Sequence, residues 1–317
     1  IGLRGVAEAS EDWQAMVGVL AREASLQSGD EQVATYADIA RTWQDKLGED
    51  AVAGDAWRKV LELQPTQREA LERLLHLSES SSAWSDYVTH AEQLADQLDG
   101  AEQAALEGKA GKVWMQQLRN EDQALVLLER ASAPEHIDMD AARLLEQLRG
   151  ARGEWDGVVI ALQRQAAAAE DGEAVSAWVR AARIQRDSMQ DKSAAAESFG
   201  KAQALEPGHE ESLRFLADYA YRRENLDAAV VYFTELEKKS DDWDLDDFDE
   251  KVEVAQFYFQ YATALLRLGH TEQGRGKLER ALELNPSHLP SLRAVGPLWM
   301  EAKDWNKAQD AYRQVLQ

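Results

Sequence analysis

Small and apolar residues in the stretch from position 265 to 286 recur with the spacing of one helical face. Gly274, Leu278 and Ala281 are separated by four and then three positions, which places them on the same side of a helix. The turn-forming Leu268-Gly269-His270 precedes this helix, and Asn285-Pro286 ends it, because proline lacks the next backbone donor. The pattern predicts the second half of a helical hairpin.

The position of Gly274 recurs along the whole chain. We call it the marker position. It is occupied by Met16, Ala53, Tyr87, Ala124, Val158, Ala195, Ala229, Gly274 and Ala308. Their numbers differ successively by 37, 34, 37, 34, 37, 34, 45 and 34, and the 45 equals 37 plus an insertion of eight. Two successive hairpins therefore form a super-repeat with a period of 71 positions.

Aromatic residues follow the same register independently. Trp13, Trp84 and Trp155 are spaced by 71 positions, and each stands three residues before the marker position. Tyr36, Glu107 and Trp178 are also spaced by 71. Short loops at 48–50, 120–122 and 190–192 place Asp or Asn near the start of the next helix, where a side-chain oxygen can cap free amides.

The repeat length and residue types resemble the tetratricopeptide repeat, which has a period of 34. The residues that carry this resemblance best are Tyr258, Tyr261, Ala262, Leu265, Gly269, Gly274, Leu278, Ala281 and Pro286. The resemblance extends over essentially the whole chain, although Tyr87 and Val158 replace the small marker residue. It implies an array that binds peptides or proteins on a concave face.

We therefore predict an all-α, right-handed α-α superhelix, a tetratricopeptide-like solenoid of about eight and a half helix-turn-helix hairpins. Residues 1–317 are expected to form one continuous solenoid, a segment of a longer array, with an acidic insertion at 240–248. Large residues four positions after the marker are expected to fill the gap between neighbouring hairpins. They are Trp57, Leu128, Leu162, Phe199, Phe233 and Tyr312.

Composition narrows the classes of partner. The 35 Lys and Arg against 58 Asp and Glu give a net charge of −23, which disfavours binding to nucleic acid or to anionic lipid. The absence of Cys excludes disulfides and thiolate metal sites and leaves the cellular compartment open. No apolar run approaches the roughly 18 residues that a membrane-spanning helix requires, so membrane insertion is not expected.

Motifs of catalysis and cofactor binding are absent from the sequence. None of the six histidines has the spacing of a metal-ligand pair, and neither a nucleophile elbow nor a phosphate-binding loop occurs. We therefore expect no enzyme activity, no cofactor and no resident metal.

The insertion permits three interpretations. Asp242, Asp244, Asp246, Glu250 and Glu253 match positions of a calcium-binding loop, but Asp247 stands where that loop needs glycine. The segment is otherwise a solvated acidic loop that caps the following helix. Alternatively, Trp243, Leu245 and Phe248 form a docking element, either folded onto the array or offered to a partner.

The resemblance to tetratricopeptide repeats implies that partners meet the first helix of each hairpin. Arg41, Lys112 and Arg183 are spaced by 71 positions, and cations in so acidic a protein could bind a carboxylate-rich peptide. The full predicted set is Arg41, Lys112, Arg180, Arg183, Arg186, Arg214, Arg222, Gln260, Trp243 and Phe248. Alternatively, the cations pair with Asp and Glu of neighbouring hairpins.

The sequence thus predicts a protein-interaction scaffold with peptide or protein partners. Two other functions stay open. The chain could be a structural subunit that self-associates end to end through uncapped faces, or a regulatory repeat domain of a larger protein.

Overall fold

The computed structural model describes residues 3–240, 243 and 248–316. Within these residues the chain is helical, and it divides into two compact units, residues 1–168 and 169–317. The helices of the first unit are α1 Leu3–Ala9, α2 Trp13–Ala24, α3 Asp30–Arg41, α4 Asp50–Leu63, α5 Arg68–Ser80, α6 Trp84–Ala95, α7 Gly100–Gln116, α8 Glu121–Ala131, α9 Met139–Ala151 and α10 Trp155–Ala168. Those of the second unit are α11 Asp171–Asp187, α12 Lys192–Leu205, α13 Glu210–Arg222, α14 Leu226–Glu237, α15 Phe248–Arg267, α16 Thr271–Leu284, α17 Leu289–Glu301 and α18 Trp305–Leu316.

Consecutive helices pack in pairs, and each pair also packs against the next pair within its unit. The predicted all-α fold of tetratricopeptide-like hairpins is therefore confirmed. The continuity of one solenoid across residues 1–317 stays a prediction. In the described part of the chain, no helix combines the length and the apolarity needed to cross a membrane.

The alternation between the longer and the shorter hairpin has a structural cause in the first helix. The first helices α5, α9, α13 and α17 each contain 13 residues. In contrast, α7 and α11 contain 17, and α3 runs for 12 residues and continues as a six-residue π-helix over Thr42–Leu47. The longer hairpins therefore extend their first helix by about one turn.

At two of the three predicted loops, an Asp or Asn side chain caps the next helix. The Asn120 side chain accepts a hydrogen bond from the Gln123 amide at 3.2 Å, and Asp191 accepts from Ser193 and Ala194 at 3.0 Å. At the third position Glu49 is the capping residue, and its side chain makes no such bond. A glutamate is a poor cap because its longer side chain does not reach back to the first amides as Asp and Asn do.

The marker residues lie where the two helices of each hairpin contact each other. They are buried from Ala53 onward, and Met16 is half-buried. The large residues four positions later are buried as predicted, with the exception of Tyr312, which is 38% exposed. Tyr312 lies instead beside Gly296 and Met300.

Gly274 is required by the bulk of its neighbour. A Cβ at this position would lie 2.6 Å from Cγ of Leu266 and 3.1 Å from the carbonyl oxygen of Ala262. Helices α15 and α16 therefore approach more closely than an alanine would allow. A Cβ at Gly276, two residues later in the same helix, would meet no atom within 4 Å.

These two glycines provide a matched pair of variants. We expect Gly276→Ala to raise the free energy of unfolding by up to about 1 kcal/mol, through helix propensity alone. Gly274→Ala gains the same propensity but overpacks the contact, and should be about 1–3 kcal/mol less stable than Gly276→Ala. Urea unfolding followed by far-UV circular dichroism measures the difference. Equal stability of the two variants would show that Leu266 moves aside without cost.

Candidate partner-binding site

The arginines predicted to bind a partner are bonded to carboxylates of the chain itself. Arg41 donates to both carboxylate oxygens of Glu69, at 2.8 and 2.5 Å. Arg183 donates to Glu211 in the same way, at 2.9 and 2.5 Å. Each acid lies 28 positions after its arginine, on the next first helix, and the second pair follows the first by 142 positions. The hydrogen bonds from arginine lower the pKa of Glu69 and of Glu211.

Lys112 occupies the register position midway between these arginines. Its equivalent acid would be Asp140, which instead pairs with Arg143 at 3.3 Å. Lys112 is exposed and forms no ion pair in the part of the chain that the structure describes. Of the three cations in this register, two are therefore engaged and one is available.

The remaining predicted residues lie in a network of mixed charge on the first helices of the second unit. Arg186 bonds to Asp187 at 2.7 Å, Arg214 to Glu210 at 2.8 Å and Arg222 to Asp218 at 2.7 Å. The Gln260 amide donates to Asp218 at 3.3 Å, and Arg180 also interacts within the chain. Arg214 and Arg222 thus pair within their own helix. The predicted alternative, pairing with Asp and Glu of neighbouring hairpins, describes Arg41, Arg183 and the contact of Arg186 with Glu211 at 3.4 Å.

Trp243 lies folded onto the array. It is 8% exposed, and its ring contacts Phe257 and Tyr258 at centroid distances of 5.3 and 6.3 Å. The Arg214 guanidinium lies 5.5 Å from the ring centroid. Of the two docking alternatives, the structure shows the intramolecular one, because the indole is already covered. To bind a partner, the indole would have to leave these contacts, and that role of Trp243 stays a prediction.

The other residues of the insertion lie outside the described residues. Apart from Ser240, which is described, these are Asp241, Asp242, Asp244, Leu245, Asp246 and Asp247, and the side chain of Phe248. The calcium-loop and partner-binding interpretations of these residues stay predictions. Among the described residues, no group of three or more His, Asp or Glu could hold a metal ion.

An open groove between hairpins recurs at the same register in both units. Groove 1, in the first unit, has a volume of about 660 Å³. It is lined by α4, by the second half of α5 and by the start of α6. Groove 2, in the second unit, has a volume of about 510 Å³ and is lined by α12, α13 and α14. Residues lining groove 2 lie 142 positions after their counterparts in groove 1, for example Leu216 after Leu74.

A third position of the same register lies midway along the chain between groove 1 and groove 2. We call it the middle groove, and an arginine side chain fills it. Arg149 of α9 holds the position that is Ser78 in groove 1 and Ala220 in groove 2. Its guanidinium pairs with Glu129 at 2.7 Å and with Glu154 at 3.0 Å. A Cβ on Gly157 of α10 would overlap the Arg149 side chain. The groove is therefore open where a small residue replaces Arg149.

The two open grooves differ in chemistry. Leu74 and Leu77 line groove 1 together with three aspartates and one arginine, namely Asp50, Asp55, Asp86 and Arg58. Tyr219 and Tyr232 line groove 2 together with one anion, Glu197, and one cation, Arg223. A third groove in the second unit, of about 750 Å³, contains an ion pair between Lys277 and Glu237 at 2.6 Å.

His90 of α6 is electrostatically coupled to groove 1. Burial lowers the pKa of His90 from its ordinary value of 6.5, Asp86 raises it, and Arg58 lowers it. Its Nδ1 is buried and has no hydrogen-bond partner. The folded chain therefore holds His90 neutral, and protonation of the unfolded chain below pH 6.5 opposes folding.

This coupling predicts a loss of stability on mild acidification. Stability should fall between pH 7.5 and pH 5.5, and His90→Gln should reduce that fall because it removes a group with a depressed pKa. Urea unfolding at the two pH values measures it. His76→Gln, at an exposed position of α5, is the matched control and should leave the pH dependence unchanged. An identical pH dependence in wild type and His90→Gln would contradict the prediction.

The grooves were missed by reasoning from the sequence, although a signal for them exists. Ser78, Arg149 and Ala220 are spaced by 71 positions, and a change from arginine to a small residue at one register marks a vacated volume. The size of that volume depends on helix packing, which the register alone does not specify.

The chain shows limited sequence similarity to known proteins. No family model matches the chain. An uncharacterized protein ycf37 of Pyropia yezoensis is 29% identical over 73 residues, a stretch that covers 23% of this chain and 41% of that protein. The chain thus spans about two fifths of the length of this curated relative.

Similar solved structures include MamA, YrrB and a repeat protein from Cytophaga hutchinsonii. MamA has a TM-score of 0.38 at 14% identity, and the match covers 54% of this chain and 92% of MamA. YrrB, described as a TPR protein with an unusual peptide-binding site, has a TM-score of 0.33 at 20% identity, with coverages of 57% and 89%. The C-terminal part of the TPR repeat-containing protein from C. hutchinsonii has a TM-score of 0.37 at 13% identity, with coverages of 79% and 96%.

Proposed function

We propose that this chain is a non-catalytic interaction scaffold that binds peptide or protein partners in the grooves between its hairpins. The observation that carries the proposal is the recurrence of an open groove at one register in both units, with a separation of 142 positions along the chain. Volumes of about 660 and 510 Å³ are those of sites that receive side chains of a ligand. Each groove lies between stacked hairpins of its own unit.

The first-helix arginines are a less favourable site for an acidic peptide. Arg183 and Arg41 already bond to both oxygens of a carboxylate, so a peptide would have to displace Glu211 or Glu69. Such an exchange replaces one charge-assisted pair by another of the same kind and yields little net affinity. The exposed Lys112 is the exception within this set.

Affinity capture tests the proposed function. The full chain is immobilised and exposed to an extract of the cells that produce it, and bound proteins are quantified by mass spectrometry. An unrelated folded protein of equal net charge is the control, because a net charge of −23 attracts basic proteins nonspecifically. The proposal expects discrete proteins enriched over this control. Enrichment equal to the control would contradict it.

Light scattering of the purified chain separates scaffolding from self-assembly. A concentration-independent monomer mass supports binding of other proteins through the grooves. Growth of the mass with concentration would favour the alternative of a structural subunit that associates with itself.

A further inference from the structure

We propose that groove 1 seats an arginine side chain from a basic segment of a partner protein. The proposal rests on the interaction function proposed above and adds the chemistry of the ligand. It follows from three independent observations: the occupant of the equivalent middle groove, the unpaired acids around groove 1, and the apolar surface between them.

The middle groove shows which kind of side chain this architecture accepts. There the Arg149 side chain fills the space over Gly157, with its guanidinium held by Glu129 and Glu154. At the same register groove 1 has Ser78 in place of Arg149 and Asp86 in place of Gly157. Groove 1 thus has no arginine at this register, and a carboxylate stands where the glycine was. Arg58 and Ala83 replace Glu129 and Glu154, so the carboxylates available to a bound guanidinium in groove 1 are Asp50 and Asp86.

The charges around groove 1 favour a cation. Asp50 and Asp86 are exposed and form no ion pair within residues 3–240, 243 and 248–316. Asp55 pairs with Arg58 at 2.5 Å, one turn along the surface of α4, and this pair adds no net charge. Two aspartates at the groove are therefore uncompensated, and a guanidinium can bond to a carboxylate with two parallel hydrogen bonds.

The apolar lining accommodates the rest of the side chain. Leu74 is 2% exposed, and Leu77 lies 3.6 Å from the place of a Cβ on Gly54. The three methylenes of an arginine can pack on this surface while its head reaches the aspartates. Gly54 contributes no side chain to the α4 side of the groove, and the Arg58 guanidinium lies 3.9 Å from the place of its Cβ.

Groove 2 lacks this combination and serves as an internal control. Lys192 stands at the position of Asp50, Ala228 at that of Asp86 and Arg223 at that of Ser81. Groove 2 is therefore lined by a cation, Arg223, where groove 1 has a hydroxyl, and it lacks the carboxylates of Asp50 and Asp86. An arginine is expected to bind to groove 1 in preference to groove 2.

Fluorescence anisotropy with defined peptides tests the proposal on the full chain. The probe is a labelled peptide of about twelve residues that alternates arginine with leucine. Two matched peptides carry citrulline or glutamate in place of every arginine. Citrulline keeps the shape and loses the charge, so tight binding of the arginine peptide alone is expected. Equal affinity for the arginine and citrulline peptides would overturn the proposal.

Two variants locate the binding site. Ser78→Arg combined with Asp86→Gly recreates the Arg149–Gly157 pair of the middle groove, fills groove 1 and should weaken binding about tenfold or more. Ala220→Arg combined with Ala228→Gly makes the same change in groove 2 and should leave the affinity unchanged. Asp50→Asn combined with Asp86→Asn changes only exposed residues, and should weaken binding at least several-fold even if the filled variant does not fold.

The outcomes separate this proposal from the one on which it rests. The proposal that groove 1 binds an arginine is overturned by either of two results. One is unchanged affinity in the folded groove 1 variants, and the other is no binding of the arginine peptide by the wild type. Neither result affects the capture experiment, in which partners bound without dependence on groove 1 would still support an interaction scaffold. Loss of captured proteins in the groove 1 variants supports both.

Discussion

Replacing Trp57 by alanine is expected to lower the free energy of unfolding by about 3–5 kcal/mol. Trp57 stands four residues after the marker Ala53, is fully buried, and packs in a cluster with residues of α2, α3, α4 and α5. Its removal leaves a cavity between successive hairpins, because helices held by several neighbours cannot all collapse into the space. The indole also donates to Gln44 at 3.4 Å, a bond that is lost as well.

Tyr312→Ala is the matched control for this prediction. Tyr312 occupies the same register, four residues after Ala308, but is 38% exposed. The same truncation should cost far less there, about 1 kcal/mol or below, because little apolar surface leaves the core. Urea unfolding followed by far-UV circular dichroism compares the two variants. Similar losses at both positions would contradict the view that these residues stabilise the chain by filling the space between hairpins.

Replacing Arg130 by methionine is expected to lower the free energy of unfolding by about 3 kcal/mol at neutral pH. Arg130 of α8 pairs at 2.5 Å with Glu107 of α7, which is only 3% exposed. Glu107 also accepts a hydrogen bond from Gln103 at 3.1 Å. Without the arginine, the buried carboxylate keeps one neutral donor and loses its counter-charge, and desolvation of the charge is no longer offset.

A second substitution distinguishes a buried charge from a simple loss of packing. Adding Glu107→Gln should restore much of the stability at pH 7.5, because a neutral amide keeps the shape without the charge. Arg222→Met, which breaks an exposed pair with Asp218, is the control and should have little effect. A defect of Arg130→Met that Glu107→Gln does not relieve would contradict this interpretation.

The fold could be predicted from the sequence because its contacts are local and its hairpins are repeated. The period of 71 positions places every second helix from Met16 to Ala308, and the structure has a buried or half-buried residue at each of these positions. What the register left out is the cause of the alternation, which lies in first helices of 17 rather than 13 residues. A helix end depends on caps and local packing, and a period fixes only the distance between equivalent points.

The binding residues were harder to predict from the sequence, for an electrostatic reason. The register located Arg41 and Arg183, but their roles depend on which of 58 acidic residues they meet. Both have an acid 28 positions later on the next first helix, and both are bound by it. The sequence left two positions open for Trp243, folded onto the array or offered to a partner, because an insertion interrupts the period and removes the register that positions other residues.

We expect partners to bind in the grooves between hairpins rather than on the first-helix arginines. Hydrogen–deuterium exchange of the full chain, alone and with a captured partner at saturation, distinguishes the two sites. Groove binding predicts slower exchange at residues 50–58 and 74–86, which line groove 1. Protection confined to residues 178–186 of α11 and 210–214 of α13, with no change around groove 1 or groove 2, would contradict it.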